Sequence, residues 1–225
     1  MEASKHTTFA AIFDMDGTLI DNTPFHFKAW QQLFKKRGLP ELSRETYLTS
    51  ISGVPILNTL KKYFGEDIDE AELKALVKEK KRLYEDAFRP FLRPVNGLET
   101  FLNDLKSTGI SIALATSSTM EDVDFIFGAI AIRQYFDAII VGSMVSQPKP
   151  SPQIFLKAAE QLGTRPEQCV VFEDSLSGLA AGNNAGMKVV GITTAHPAQT
   201  ITKLASLVIN DYADVTPQKL AALFD

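Results

Sequence analysis

Hydrophobic positions along the chain follow two different rhythms, and they change places at defined points. Phe9 to Phe13 is an unbroken apolar run closed by Asp14, which predicts a short buried strand. Helical spacing takes over from Asn22 to Arg89. Thr23-Pro24 opens a first helix with Thr23 as cap and Pro24 at the first helical position, and Phe27, Trp30, Leu33 and Phe34 form its apolar stripe. Gly38-Leu39-Pro40 ends it. A second helix begins after Ser43, and Ser52-Gly53-Val54-Pro55 interrupts it. Ile56, Leu57, Leu60 and Phe64 resume the stripe. Glu70 to Phe88 carries apolar residues at Leu73, Leu76, Val77, Leu83 and Tyr84, and its charges read as a solvated face.

Beyond the extended signal Arg89-Pro90-Phe91-Leu92-Arg93-Pro94, β-branched runs alternate with helical ones. Strands are predicted at 110–115, 137–141, 169–172, 188–192 and 207–209. Helices are predicted around Leu98–Leu105, Val123–Phe127, Ser151–Leu162, Ser175–Ala185 and after Thr216-Pro217. Alternation of this kind implies an α/β fold with a doubly wound parallel sheet. The all-helical block falls between the first strand and the rest. The expected division is therefore an α/β core of 1–21 and 91–225 with an inserted helical cap of 22–90. Both junctions of the cap lie near the end of strand one, which would place it as a lid over that end.

Composition narrows the class. Of 225 residues, 45% are hydrophobic and 22% charged, as in a water-soluble globular chain. A net charge of -4 argues against a nucleic-acid binder, which would be basic. The lone Cys169 excludes a disulfide framework and fits a reducing compartment, so the chain is expected to be cytoplasmic. Met1 to Thr8 is polar and lacks the apolar stretch of a signal peptide, and no run is suited to spanning a membrane. The expected state is a monomer.

Candidate chemistry collects at the strand ends. In a parallel sheet these share one edge, where ligands bind. Asp14-Met15-Asp16-Gly17 follows the first strand, Thr116-Ser117-Ser118 the second, and Glu173-Asp174-Ser175 the fourth; Lys149-Pro150 lies in the loop after the third. Taken singly, each has an ordinary reading. Asp-x-Asp-Gly suits a turn, Thr116 to Ser118 a helix cap, Lys149 a solvated loop, and Glu173-Asp174 the positive end of a helix dipole. Together they supply crowded carboxylates that call for a divalent cation such as Mg²⁺, hydroxyl donors and one cation, which is the inventory of phosphoryl transfer.

Asp14-x-Asp16-Gly17-Thr18, Thr116, Lys149-Pro150 and Glu173-Asp174 resemble, in order and spacing, the four motifs of the haloacid dehalogenase-like superfamily. The helical block is similar to that superfamily's first cap type. Pro24-Phe25-His26-Phe27-Lys28-Ala29-Trp30 resembles the first cap helix of the β-phosphoglucomutase-like subgroup. The resemblance implies a Rossmann-like core. It also implies that Asp14 is the nucleophile, forming an aspartyl-phosphate, and that Asp16 is the acid/base. Thr116 and Lys149 would hold phosphoryl oxygens, helped by backbone N–H groups of Met15, Asp16 and Ser117. Magnesium would sit on Asp14, Asp174, Glu173 and the backbone carbonyl of Asp16. Ser117, His26, Gly53 and Asn22 are expected to bind substrate, and Trp30 to pack the lid. Asp16 sets the chain apart from dehalogenases and phosphonoacetaldehyde hydrolases, which lack an acid there.

A phosphosugar mutase must grip a second phosphate. The β-phosphoglucomutases do so with an arginine after the cap glycine and a Lys-Asn pair after the second core motif. This chain has Gly53-Val54-Pro55-Ile56 and Thr119-Met120 in those places. The sequence therefore favours hydrolysis of a small phosphate monoester, a sugar phosphate, over mutase activity. Pyrophosphate hydrolysis stands further back. A non-catalytic binding module is disfavoured because nucleophile, acid/base and metal acid are all present.

Overall fold

The computed structural model describes residues 9–225, so the expectation for Met1 to Thr8 lies outside it. The sheet has six parallel strands in the order β3-β2-β1-β4-β5-β6. They are β1 (Ala10–Phe13), β2 (Ser111–Ala115), β3 (Ala138–Ile140), β4 (Cys169–Glu173), β5 (Lys188–Ile192) and β6 (Leu207–Ile209). Strand order reverses beside β1, which gives the crevice of a doubly wound sheet its position.

Alternation along β1 builds both sides of the sheet at once. Ala11 and Phe13 enter one apolar cluster, while Ala10 and Ile12 enter the other. Val170 and Phe172 of β4 repeat the first face, and Cys169 and Val171 the second. Phe13 and Phe172 stack with ring centroids 4.4 Å apart, and register pairs the same two residues. Asp14 and Glu173 consequently leave the sheet at the same level. Burial pushes the Cys169 thiol up to about 12, which suits an inert core residue.

Helices α1 (Thr23–Lys36), α2 (Arg44–Ser50), α3 (Ile56–Phe64) and α4 (Glu70–Phe88) fill the interval between β1 and β2. They gather around Trp30, Leu33, Tyr47, Leu60 and Leu76, so Trp30 is a packing residue as expected. Ser43 caps α2, and Asp69 caps α4 by accepting from Ala71 and Glu72. An antiparallel bridge joins Ile20 to Pro94, so the chain leaves and re-enters the sheet layer at one point. The remaining helices are α5 (Leu98–Ser107), α6 (Met120–Ile130), α7 (Gln153–Gln161), α8 (Leu176–Asn184), α9 (Ala198–Ile201) and α10 (Pro217–Ala221).

Local differences from the sequence reading have physical causes. Asn22 rather than Thr23 precedes α1, because its backbone carbonyl already accepts from Phe25 and His26. Thr18, Leu19 and Ile20 turn back beside the end of β1. Met15 O takes the N–H groups of Thr18 and Leu19, and all three side chains are buried. Arg89–Phe91 winds into a 3-10 turn before the chain extends. The charges of α4 are not all solvated either, since Lys80 is buried in its apolar stripe.

Candidate active site

Three strand ends deliver the cluster that crowds the crevice. Lys149 Nζ donates to Asp14 Oδ1 and to Glu173 Oε1, each at 2.6 Å, and all three groups are buried. The Lys149 ammonium also lies 4.9 Å from the centre of the Phe155 ring, which walls it off from water. The other oxygen of Glu173 accepts from the Asp174 N–H, the Ser175 N–H and the Ser175 hydroxyl at 2.8–2.9 Å. Ser175 in turn caps α8 through Gly178 N–H. Gly178 has to be glycine here, because a Cβ would occupy the Glu173 carboxylate.

Charge balance in this cluster is poor. Carboxylate oxygens of Asp14, Glu173 and Asp174 all lie within 4.8 Å of one another, and Lys149 is the cation among them. Burial pushes the Asp14 carboxyl up to about 8, with Lys149 opposing the rise and Glu173 and Asp16 adding to it. Burial and the same neighbours hold Asp174 well above the usual carboxylate range. A hard divalent cation with oxygen ligands would relieve this crowding. Both oxygens of Glu173 are already engaged, so the donors best placed for such an ion are Asp14 and Asp174. Gly17 shapes the same spot. Its φ is 77°, and a Cβ would strike the Asp174 carboxylate.

Asp16 points elsewhere. Its carboxylate accepts from Ser118 Oγ at 2.6 Å, from Asn22 Nδ2, and from His26 Nε2 at 3.4 Å. Burial would raise its pKa, but these hydrogen bonds and the His26 ring together hold it below the usual carboxylate range. Lys80 Nζ lies 2.6 Å from His26 Nδ1. An ammonium can only donate, so Nδ1 accepts and Nε2 carries the hydrogen given to Asp16. Burial, then Lys80, lowers the His26 pKa, in keeping with a neutral ring. Tyr84 stacks on that ring with centroids 3.9 Å apart.

A cavity of about 250 Å³ joins these groups. Its floor is Asp14, Asp16, Thr116, Ser117, Lys149 and Asp174, and its roof comes from α1, α2, α4 and the loop at Ser52 to Ile56. Gly53, at φ 74°, lies against the start of α8, where a Cβ would come within 2.5 Å of Ser177 Oγ.

The model of haloacid dehalogenase-like hydrolases matches residues 11–192, which is most of the chain. The chain belongs to this family. Among its relatives, the phosphorylated carbohydrates phosphatase of Thermotoga maritima is 35% identical over 187 residues, covering 80% of this chain and 82% of that one. The β-phosphoglucomutase of Bacillus subtilis is 31% identical over 217 residues, covering 94% and 93%. The crystal structure of β-phosphoglucomutase from Clostridium difficile superposes with a TM-score of 0.85 at 27% identity, covering 96% of this chain and 97% of that chain. The protein is thus a hydrolase of the phosphatase type with the expected Rossmann-like sheet.

Within this hydrolase the residues expected at the site converge on one cavity: Asp14, Asp16, Thr116, Ser117, Lys149, Glu173 and Asp174 from the core, and Asn22, His26 and Gly53 from the insertion. Two sit differently from the sequence expectation. Asn22 is spent inside the fold, accepting from Gly17 N–H and donating to Asp16 and Tyr84. The carboxylate of Asp16 is outside the metal-type cluster, so its proposed metal contact rests on its carbonyl alone. Lys80, Lys81, Tyr47 and Tyr84 also line the cavity and escaped the sequence reading of the site, while Ser118 was named there only as part of the strand-end run. A signal for Lys80 was present: Leu76, Lys80, Tyr84 and Phe88 recur every four residues and are all buried.

Proposed function

We propose that this protein is a Mg²⁺-dependent phosphatase of small phosphate monoesters, a sugar phosphatase acting in the cytoplasm, with residues 22–90 capping the core of 1–21 and 91–225. The observation that carries the reading is the placement of Asp14 and Asp16 on one cavity in opposite electrostatic settings. Asp14 stands in the crowded carboxylate cluster beside Lys149, and Asp16 in a separate hydrogen-bonded nest. Burial favours a protonated Asp14 and the hydrogen bonds an ionised Asp16, so the nucleophile and acid roles require a cation beside Asp14 and the incoming phosphate to reverse both states. The phosphorylated carbohydrates phosphatase among its relatives supports the sugar-phosphate class.

A carboxylate oxygen of Asp14 attacks phosphorus as the ester P–O bond breaks, and Asp16, having taken a proton from the phosphate monoanion as the substrate binds, delivers it to the departing alkoxide. The resulting aspartyl-phosphate is opened by water. Asp16 takes the proton of that water, the new P–O bond forms, and the bond to Asp14 breaks to release inorganic phosphate. Lys149, Thr116 and the N–H groups after Asp14 and Thr116 hold the phosphoryl oxygens. His26, Asn22 and Ser118 orient Asp16. Asp14 and Asp174 would hold Mg²⁺, with Glu173 as the anchor between Lys149 and the turn. When bound, the ion supplies positive charge to the phosphoryl oxygens.

The mutase reading is second, favoured by the β-phosphoglucomutase relative. One assay separates the two. Incubation with β-glucose 1-phosphate and a bisphosphate primer is expected to release inorganic phosphate. EDTA is expected to stop that release, and excess Mg²⁺ to restore it. Stoichiometric glucose 6-phosphate would reverse the ranking, and full activity in EDTA would remove the metal from the account.

A further inference from the structure

The far end of the cavity limits what can be attached to the phosphate. Its walls are apolar, formed by Ile51, Val54, Ile56 and Val77 of the insertion and by Phe125 of α6. Lys81 of α4 crosses this end. Its Nζ lies 3.0 Å from Asp122 Oδ1, 3.6 Å from Glu121 Oε2 and 4.0 Å from Glu85 Oε1. Asp122 is fixed in place, because it also closes the capping box of α6 with Thr119. The neighbouring ammonium, Lys80, is held by His26. Away from Lys149, these two lysines are the Lys or Arg side chains lining the cavity among the described residues; Lys81 is paired with carboxylates and Lys80 is hydrogen-bonded to His26.

The sequence reading found no cation in the insertion for a second phosphate. The structure does bring lysines there, but carboxylates neutralise Lys81 and the neutral His26 ring ties down Lys80. We infer that the rim formed by Glu121, Asp122 and Lys81 is a specificity element, selecting a substrate with one phosphate on an uncharged remainder and rejecting bisphosphates. A phosphate at this rim would have to break the Lys81–Asp122 pair, then lie beside the Glu121 and Asp122 carboxylates and the apolar walls. Glu121 is the group to change, since its side chain is 85% exposed and supports no buried contact.

The substrate class rests on the phosphatase reading, so the test separates the two. Inhibition constants of fructose 1-phosphate and fructose 1,6-bisphosphate are measured against p-nitrophenyl phosphate hydrolysis at fixed ionic strength. The bisphosphate is expected to bind about ten-fold more weakly or worse, the scale of unrelieved like-charge contact. Glu121→Lys is expected to bring the ratio close to parity, and Lys81→Met to widen it. A bisphosphate that matches or outcompetes the monophosphate, or a ratio that Glu121→Lys leaves unchanged, overturns the inference. If p-nitrophenyl phosphate is not hydrolysed, the phosphatase reading fails. The same ratio, read by calorimetry on the wild-type protein, then still upholds or overturns the rim's selectivity.

Discussion

Asp14→Asn is expected to lower kcat for p-nitrophenyl phosphate by about 10³-fold or more, because an amide neither attacks phosphorus nor leaves as a carboxylate. The same change is expected to leave the melting temperature unchanged or raise it. Burial and the neighbouring carboxylates push Asp14 up to about 8, so its charged form is held in the fold at a cost. Removing that charge relieves Glu173 and Asp174, and Lys149 keeps its contact with Glu173. Loss of function with undiminished stability marks a group placed for chemistry rather than for folding. Thermal unfolding and steady-state kinetics on one preparation check both halves. A fall in stability matching the fall in activity would make Asp14 a structural residue.

Lys149→Met is expected to fail in the opposite way. Burial works against the ammonium, but Asp14 and Glu173 hold its pKa above the usual lysine value. Met fills similar volume and supplies no charge. Asp14, Glu173 and Asp174 are then left buried without their cation, a kind of loss that costs about 3–5 kcal/mol. For a chain of this size the melting temperature should drop by about 10 °C. Activity should also fall by about 10²-fold, since a donor to the phosphoryl oxygens is gone. Adding Mg²⁺ should recover part of the stability, because a divalent ion fills the same charge deficit. A variant as stable as the wild type in EDTA would show that the cluster is already relieved by other means.

The contrast between these residues shows what a sequence can disclose. β1, β5 and β6 were legible as short apolar runs, and α4 as an apolar stripe at helical spacing along a charged segment. The short helix Ala198–Ile201 was not, since so few residues carry no period of their own. The edge that carries the candidate site was legible because parallel strands bring Asp14, Thr116 and Asp174 to one side whatever the details of packing. Orientation was not. That Asp16 turns towards Ser118, Asn22 and His26 depends on the contact between α1 and the turn after β1. Lys80 and Lys81 are adjacent in sequence, yet one enters a buried chain to His26 and the other a half-buried bridge to α6. Only the way α4 faces the core decides which is which.

Stereochemistry at phosphorus tests the central claim most directly. A monoester made chiral with three oxygen isotopes is hydrolysed, and the configuration of the product phosphoryl group is read after trapping by an acceptor alcohol. Two in-line displacements, first by Asp14 and then by the acceptor, predict overall retention. Inversion would mean a single direct attack on phosphorus and would remove Asp14 from the role of nucleophile.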